Sequence, residues 1–391
     1  MLKRLRQRLS WRLAGYAAAV LAVGGLYFWH LGSLTPGLAA GEVQASGASR
    51  SLEAIWQTPL NAPHKLLQYA ASLMGRSAFN WRLASTLLAL IFLGCFLIIL
   101  RLWLGGRAAL FGLLVFGATP WLVLVGRSAS PTIIWLWPLA VAACLLWWSR
   151  TVRYQNLALY ISILSLGLAL YIPGLVWFLV LAVIFGRRHL AKLLKRHSRW
   201  AITLGCLLLI LVLAPLVRSL ALNQTDWSTW LALPSNWSKP LEIAKSLGRM
   251  AVSLDWRSPG NVNWLIDHLP IFNSAQTALA FIGLASLFLA GHKRQAWLLL
   301  GWVALAILLA GVNQNAGFLT IGLPVIGALA AAGVYYLWSQ WHRVFPRNPL
   351  AKGLAVGLVT LLFVLQVTFG ARYCLTAWPH APTTRATYVL Q

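Results

Sequence analysis

Apolar stretches of about 15 to 23 residues, each bounded by charge, proline or a polar cluster, recur along the whole chain. At the 1.5 Å rise of an α-helix, such stretches cross a bilayer core. The pattern predicts eleven membrane helices, at 13–31, 82–104, 108–125, 132–148, 157–171, 173–186, 199–218, 273–291, 295–311, 317–338 and 352–371. The fifth and sixth are short and meet at YIPG, where Pro173 removes a backbone donor and Gly174 permits a turn, so they form one kinked helix or a re-entrant pair. Two long polar segments, 32–81 and 219–272, interrupt the series, and a tail covers 372–391.

Both long segments read as structured. SLEAIWQTPLNAPHKLLQYAASLMG, residues 51–75, gives two short amphipathic stretches separated by a proline-containing turn. The second segment mixes Trp227, Trp230, Trp237, Trp256 and Trp264 with Pro, Asn and Asp. Such rings sit at the headgroup level with the indole N–H kept wet, or stack on a sugar or prenyl chain. The expected fold is an all-α polytopic membrane domain over residues 1–371 with two structured extracytoplasmic loops.

Composition agrees, with 60% hydrophobic and 10% charged residues and a mean hydropathy of +0.73. A soluble domain carries about 25% charged residues. The formal net charge of +26 does not indicate nucleic acid, because the basic residues lie in short loops between apolar runs. The N-terminal MLKRLRQRLSWR resembles the charged start of a signal peptide. Its weak small-residue site at Gly37 and Ala39 lies about ten residues beyond the apolar run, so an uncleaved first helix is expected. With that end in the cytoplasm, 20 of the 32 basic residues fall in short cytoplasmic segments, satisfying the positive-inside rule, and the C-terminus lies outside the cell.

The same map puts every carboxylate, Glu42, Glu53, Asp226, Glu242, Asp255 and Asp267, on the outer side. Acid-dependent chemistry is therefore expected there, and a cytoplasmic metal-nucleotide reaction lacks its ligands. Neither a phosphate-binding glycine loop, a metal-spaced Cys or His pair, nor a nucleophile elbow is present. Cys95, Cys144 and Cys206 lie in apolar runs and Cys374 in a polar segment, which suits packing roles. No cofactor and no metal are expected.

The order of features then points to a family. LTPGLAAGEVQAS is followed by TPLNAPHKLLQYAASLMGRSAFNWRLAS and GGRAALFGLLVFGATPWLVLVGRSASPT. Further on come LALYISILSLGLALYIPGLVWFLVLAVIFGRRHLAKLLKR and NQNAGFLTIGLPVIGALAAAG. This sequence of loops and helices resembles the GT-C glycosyltransferases of the protein mannosyltransferase and aminoarabinose transferase type, over most of residues 1–371. The resemblance implies transfer of a sugar from a polyprenyl-phosphate donor to a glycan, lipid or protein acceptor at the extracytoplasmic face of the plasma membrane. On this basis Glu42 is the candidate catalytic base, since a carboxylate there can take a proton from an acceptor hydroxyl. His64, Lys65 and Arg127 are candidate substrate contacts, the two cations for a departing lipid phosphate. Asp255 and Asp267 flank WRSPGNVNWLI and are either substrate contacts or turn formers.

The chain departs from the family where it reads Gly41-Glu42 in place of an acidic pair, Ser130-Pro131-Thr132 where an acid often follows the arginine, and Asn313-Gln314-Asn315 where an Arg or Tyr is common. These departures open a second expectation, a catalytically inactive GT-C-like scaffold or lipid-binding subunit with protein assembly partners. A transporter would show inverted repeats and mid-membrane charges, and neither stands out.

Overall fold

The computed structural model describes residues 17–222, 224–234, 236–258 and 263–390. The N-terminal basic run, the side chains of Arg107 and Asp226, and residues 259–262 lie outside the described set. What is described is helical apart from turns and one isolated antiparallel bridge, Leu38 to Leu390.

A first apolar helix, α1 (Ala17–Phe28), leads into three helices of the first long segment: α2 (Ala40–Ala48), α3 (Leu52–Gln57) and α4 (Ala62–Ser72). The bundle continues with α5 (Ala78–Leu104), α6 (Gly106–Gly117) and α7 (Pro120–Gly126). A 3-10 turn at Pro131–Leu136 then feeds α8 (Trp137–Arg150), followed by α9 (Gln155–Ala169), α10 (Leu175–Leu194) and α11 (Arg199–Leu222). The second long segment carries α12 (Gln224–Trp230) and α13 (Pro240–Val252). After α14 (Ser274–Leu289) and α15 (Lys293–Val312), a second 3-10 turn at Ala316–Ile321 precedes α16 (Leu323–Val344). The chain closes through α17 (Pro349–Arg372), a π turn at Tyr373–Ala377, α18 (Trp378–His380) and α19 (Pro382–Thr387).

Among the described residues all eleven expected stretches are helical, residues 13–16 of the first lying outside them, but they differ in reach. Among the described residues six helices are long and apolar enough to cross a membrane, and the α6–α7 pair, bent by 69°, makes a seventh. Pro120 explains the bend: it cannot donate to the preceding turn, and Thr119 before it is extended at φ −65°, ψ 125°. The stretches α1, α9 and α14 are shorter apolar helices. The second half of α10 carries Arg187, Arg188 and Lys192. By length and composition alone, six of the described helices, or seven with the bent pair taken as one span, are each sufficient to cross a membrane. The expected kinked or re-entrant pair at YIPG is two helices joined by a turn, with Gly174 at φ 76° and its N–H donated to Trp230 O at 2.8 Å.

Burial orders the bundle. The Ala316–Val344 span is 89% buried and lies at the centre, whereas α11 and α17 are only 17% and 22% buried over comparable windows. Their exposed Leu204, Ile210, Leu211 and Leu361 make an apolar outer surface that suits lipid rather than water. Tyr27, Phe92, Phe96, Phe116, Trp121 and Phe178 fill the interior.

Cross-links gather the two long segments and the tail at one end. Leu38 and Leu390 exchange backbone bonds of 2.6 and 3.2 Å, Trp378 Nε1 donates to Asn263 O at 3.1 Å, and Ile266 N donates to the Tyr373 hydroxyl at 2.8 Å. Asn61 N reaches Tyr171 O at 2.9 Å. The opposite end holds the basic connections, including Arg101, Arg150, Arg196 and Lys293. The protein is thus an all-helical membrane bundle with a loop end and a basic end.

Candidate functional site

Two very different regions lie toward the loop end. The first surrounds Glu42, the third residue of α2, whose Oε2 accepts from Ala39 N at 3.2 Å and so caps its own helix. Arg82, in the first turns of α5, grips both carboxylate oxygens, Nε to Oε1 at 3.2 Å and Nη2 to Oε2 at 2.9 Å. Ala129 N donates to Oε1 at 2.7 Å. A carboxylate has about four acceptor positions, and here four donors occupy them. Arg82 also donates from Nη1 to Leu31 O at 3.3 Å, and Thr35 Oγ1 and Gly37 O share the second Nη2 hydrogen at 3.1 and 3.0 Å. Both side chains are buried, at 4% and 2% exposure. The void beside them measures about 10 Å³ and is walled by Trp378 and Tyr388 of the tail. One water fills such a space; an acceptor sugar does not.

The other charged candidates are also committed to structure. Arg127 places Nη1 on Leu26 O at 2.6 Å and Nη2 on Trp29 O at 2.7 Å, closing the C-terminus of α1, where a cation opposes the helix dipole. Lys65 ties the α3–α4 turn by donating to Thr58 O at 2.5 Å and Thr58 Oγ1 at 3.1 Å. His64 Nε2 meets Ser85 Oγ at 2.8 Å, and the Ser85 hydroxyl donates to Ser130 O at 3.3 Å. The serine proton is spent on Ser130, so His64 donates through Nε2 and its Nδ1 is a bare, buried acceptor with no partner. Burial, aided by the Lys65 charge, lowers the His64 pKa to about 3, so the ring is neutral at physiological pH. Gln68 completes the brace: Ser49 Oγ donates to its Oε1 at 2.7 Å, and its Nε2 donates to Trp81 O and Ala129 O at 3.1 and 3.0 Å. Glu42, Gln68 and Ser85 therefore clamp the 127–132 turn from three helices.

Asp255 and Asp267 are exposed in the second long segment. Asp267 sits in the left-handed region at φ 48°, and its carbonyl accepts from Ser258 Oγ at 3.4 Å, a turn-forming arrangement. Among the described residues no group of three His, Cys, Asp or Glu is placed to hold a metal ion. Of the candidates, Glu42 and Arg127 border one small void, while Lys65 and the two aspartates lie apart from it. Arg82 and Tyr388 were not legible as members of this group. The sole signal for Arg82 is an arginine placed at the start of an apolar run.

The second region is open. A polar cavity of about 540 Å³ is lined by Ser228, Thr229, Asn236, Ser238, Asn313 and Gln314, above Pro173 and Ala232. An apolar groove of about 530 Å³ runs between α5, α8, α15 and α16, walled by Phe96, Trp103, Leu139, Trp302 and Val325. Trp135 and Phe318, stacked at 4.4 Å with 24° between their planes, separate the two, and Trp135 borders both. Each ring stands on a 3-10 turn, where Pro131, Pro138 and Pro324 interrupt continuous α-helix.

Solved structures share this arrangement of helices. ArnT from Cupriavidus metallidurans bound to undecaprenyl phosphate superposes with a TM-score of 0.59 at 14% identity, covering 96% of this chain and 76% of that one. The apo form of the same protein gives 0.57 at 15% identity, over 97% and 76%. The Archaeoglobus fulgidus oligosaccharyltransferase gives 0.56 at 12% identity, with 94% of this chain covered but 56% of the other. Both proteins are GT-C glycosyltransferases. The chain has the GT-C fold. No protein-family profile matches this chain, and no curated protein sequence does. The likeness therefore lies in the order and packing of helices, at identities where side chains are not shared as a set.

Proposed function

We propose that this GT-C protein takes a polyprenyl-phosphate-linked sugar and transfers the sugar to a glycan, lipid or protein acceptor at the extracytoplasmic face of the plasma membrane. The observation that carries the reading is the junction at Trp135 and Phe318. An apolar groove suited to a prenyl chain reaches the stacked pair from one side, and a polar cavity suited to a sugar begins on the other. Undecaprenyl phosphate and dolichol-phosphate, the lipids bound in two of the similar structures, carry a long apolar chain, the part that the groove suits. Orientation follows from charge: the basic end lies in the cytoplasm, so the loop end, its cavity and the C-terminal tail face outward. Glu42 serves as a base only after Trp378 and Tyr388 withdraw and Arg82 frees one of the carboxylate's acceptor positions.

The saturation of Glu42 favours a second reading, a GT-C-fold lipid-binding subunit without chemistry of its own. Reconstituted full-length protein separates the two. Native mass spectrometry with undecaprenyl phosphate reads lipid binding, and a radiolabelled polyprenyl-phosphate sugar reads transfer. Binding with transfer supports the enzyme, and binding without transfer to any acceptor class establishes the subunit. If undecaprenyl phosphate does not bind, and Trp135→Ala behaves like the wild type, both readings fall.

A further inference from the structure

The polar cavity is built from backbone that most side chains avoid. Ala232 at φ 52° and Gln314 at φ 51° both occupy the left-handed region without being glycine, and such residues gather at ligand clamps. Asn313 holds the two segments together, its Nδ2 donating to Ala232 O at 2.7 Å and Leu309 O at 2.9 Å. Carbonyl oxygens only accept, so the amide nitrogen is fixed on that side and Oδ1 is what Asn313 has left to offer a ligand. Gln314 meets Ser238 Oγ at 3.2 Å; a hydroxyl both donates and accepts, so one amide atom of Gln314 pairs with it and the other stays available to a ligand. The described lining carries no charged side chain, and the Trp135–Phe318 stack gives it an apolar floor.

We infer that this cavity selects an uncharged, hydroxyl-rich sugar and rejects acidic ones, with Asn313 and Gln314 as the specificity-determining residues. This rests on the lipid-linked-sugar reading above and narrows its substrate class. Sugar hydroxyls donate to Asn313 Oδ1 and pair with the free amide atom of Gln314, while one face of the ring lies on the aromatic floor. A uronic acid instead brings a full negative charge to a lining that holds hydroxyl and amide donors in Ser228, Thr229, Ser238 and Asn236 but no cation to pair it, and a carboxylate costs more to strip of water than a hydroxyl does. Discrimination through polar groups that fail to pair is steeper than discrimination by size.

The test uses the full chain in lipid nanodiscs, with octyl β-D-glucoside and octyl β-D-glucuronide as probes below their micellar concentrations. Saturation-transfer NMR reads their binding, and undecaprenyl phosphate binding is followed in parallel by native mass spectrometry. The glucoside is expected to bind at least about tenfold more tightly than the glucuronide. Gln314→Lys, at an exposed position, is expected to erase that ratio by supplying a cation. Asn313→Ala is expected to weaken the glucoside alone. Equal affinities in the wild type, with undecaprenyl phosphate still bound, overturn the selectivity and leave the lipid-linked reading standing. Loss of the lipid and both glycosides together removes that reading itself. Should Asn313→Ala fail to fold, Gln314→Lys still decides: a ratio unchanged from wild type overturns the assignment.

Discussion

The Glu42 cluster and the Asn313 cavity lie toward the same end of one bundle and are built on opposite principles. Around Glu42 the charges are strong, buried and fully spoken for, beside a void of about 10 Å³. Around Asn313 the groups are weak, uncharged and left with acceptor capacity, facing about 540 Å³. A carboxylate held by four donors contributes to folding, whereas an amide whose nitrogen is tied and whose oxygen is open can contribute to binding. Charge alone therefore does not locate function; unspent hydrogen-bonding capacity beside open volume is the better guide.

Several substitutions break or sharpen this contrast. The largest effect is expected from Glu42→Ala, which leaves Arg82 buried without its counter-ion. Such a loss costs about 3–5 kcal/mol, read as a drop in thermal unfolding midpoint in nanodiscs; the double variant Glu42→Ala with Arg82→Met is expected to recover much of it. An unchanged midpoint for Glu42→Ala would make the pair ornamental and reopen its role as a base.

Next comes pH. The folded His64 pKa is depressed, so the unfolded chain binds the extra proton first. Stability is full above pH 6.5 and falls as pH drops from 6.5 toward about 3. The slope is about 1.4 kcal/mol per pH unit at most. His64→Phe is expected to flatten the slope, and a slope identical to wild type would show the ring is reached by water.

Gln68→Ala removes three buried hydrogen bonds from the brace, to Ser49, Trp81 O and Ala129 O. About 1–3 kcal/mol is expected, measured by the same unfolding assay. The smallest effect belongs to the other region. Ser238→Ala at the cavity rim should change stability by no more than about 0.5 kcal/mol, while altering glycoside binding. A loss comparable to that of Gln68→Ala would mean the cavity wall is as tightly braced as the Glu42 cluster.

The amphipathic pair at 51–75 was legible because its turn chemistry and apolar spacing are local, and α3 and α4 stand there. The 82–104 stretch likewise appears as α5, only starting earlier at Ala78. What local pattern did not convey was the kink at Pro120 and the 3-10 turns before α8 and α16. These depend on how each proline is accommodated by neighbouring helices. The site was harder still. Glu42 stood out by rarity, yet its partners Arg82 and Ala129 lie 40 and 87 residues away, and the covering Tyr388 comes from the tail.

The sequence by itself determined that this is a bilayer-embedded helical bundle, because a run of apolar side chains must leave water whatever its neighbours are. It also determined that all six acids fall in the two long segments 32–81 and 219–272, which is a property of position along the chain. Only the tertiary structure decided which polar groups are already satisfied and which still face open space. Hydrogen-bond saturation depends on contacts between residues far apart in sequence, and no local pattern records them.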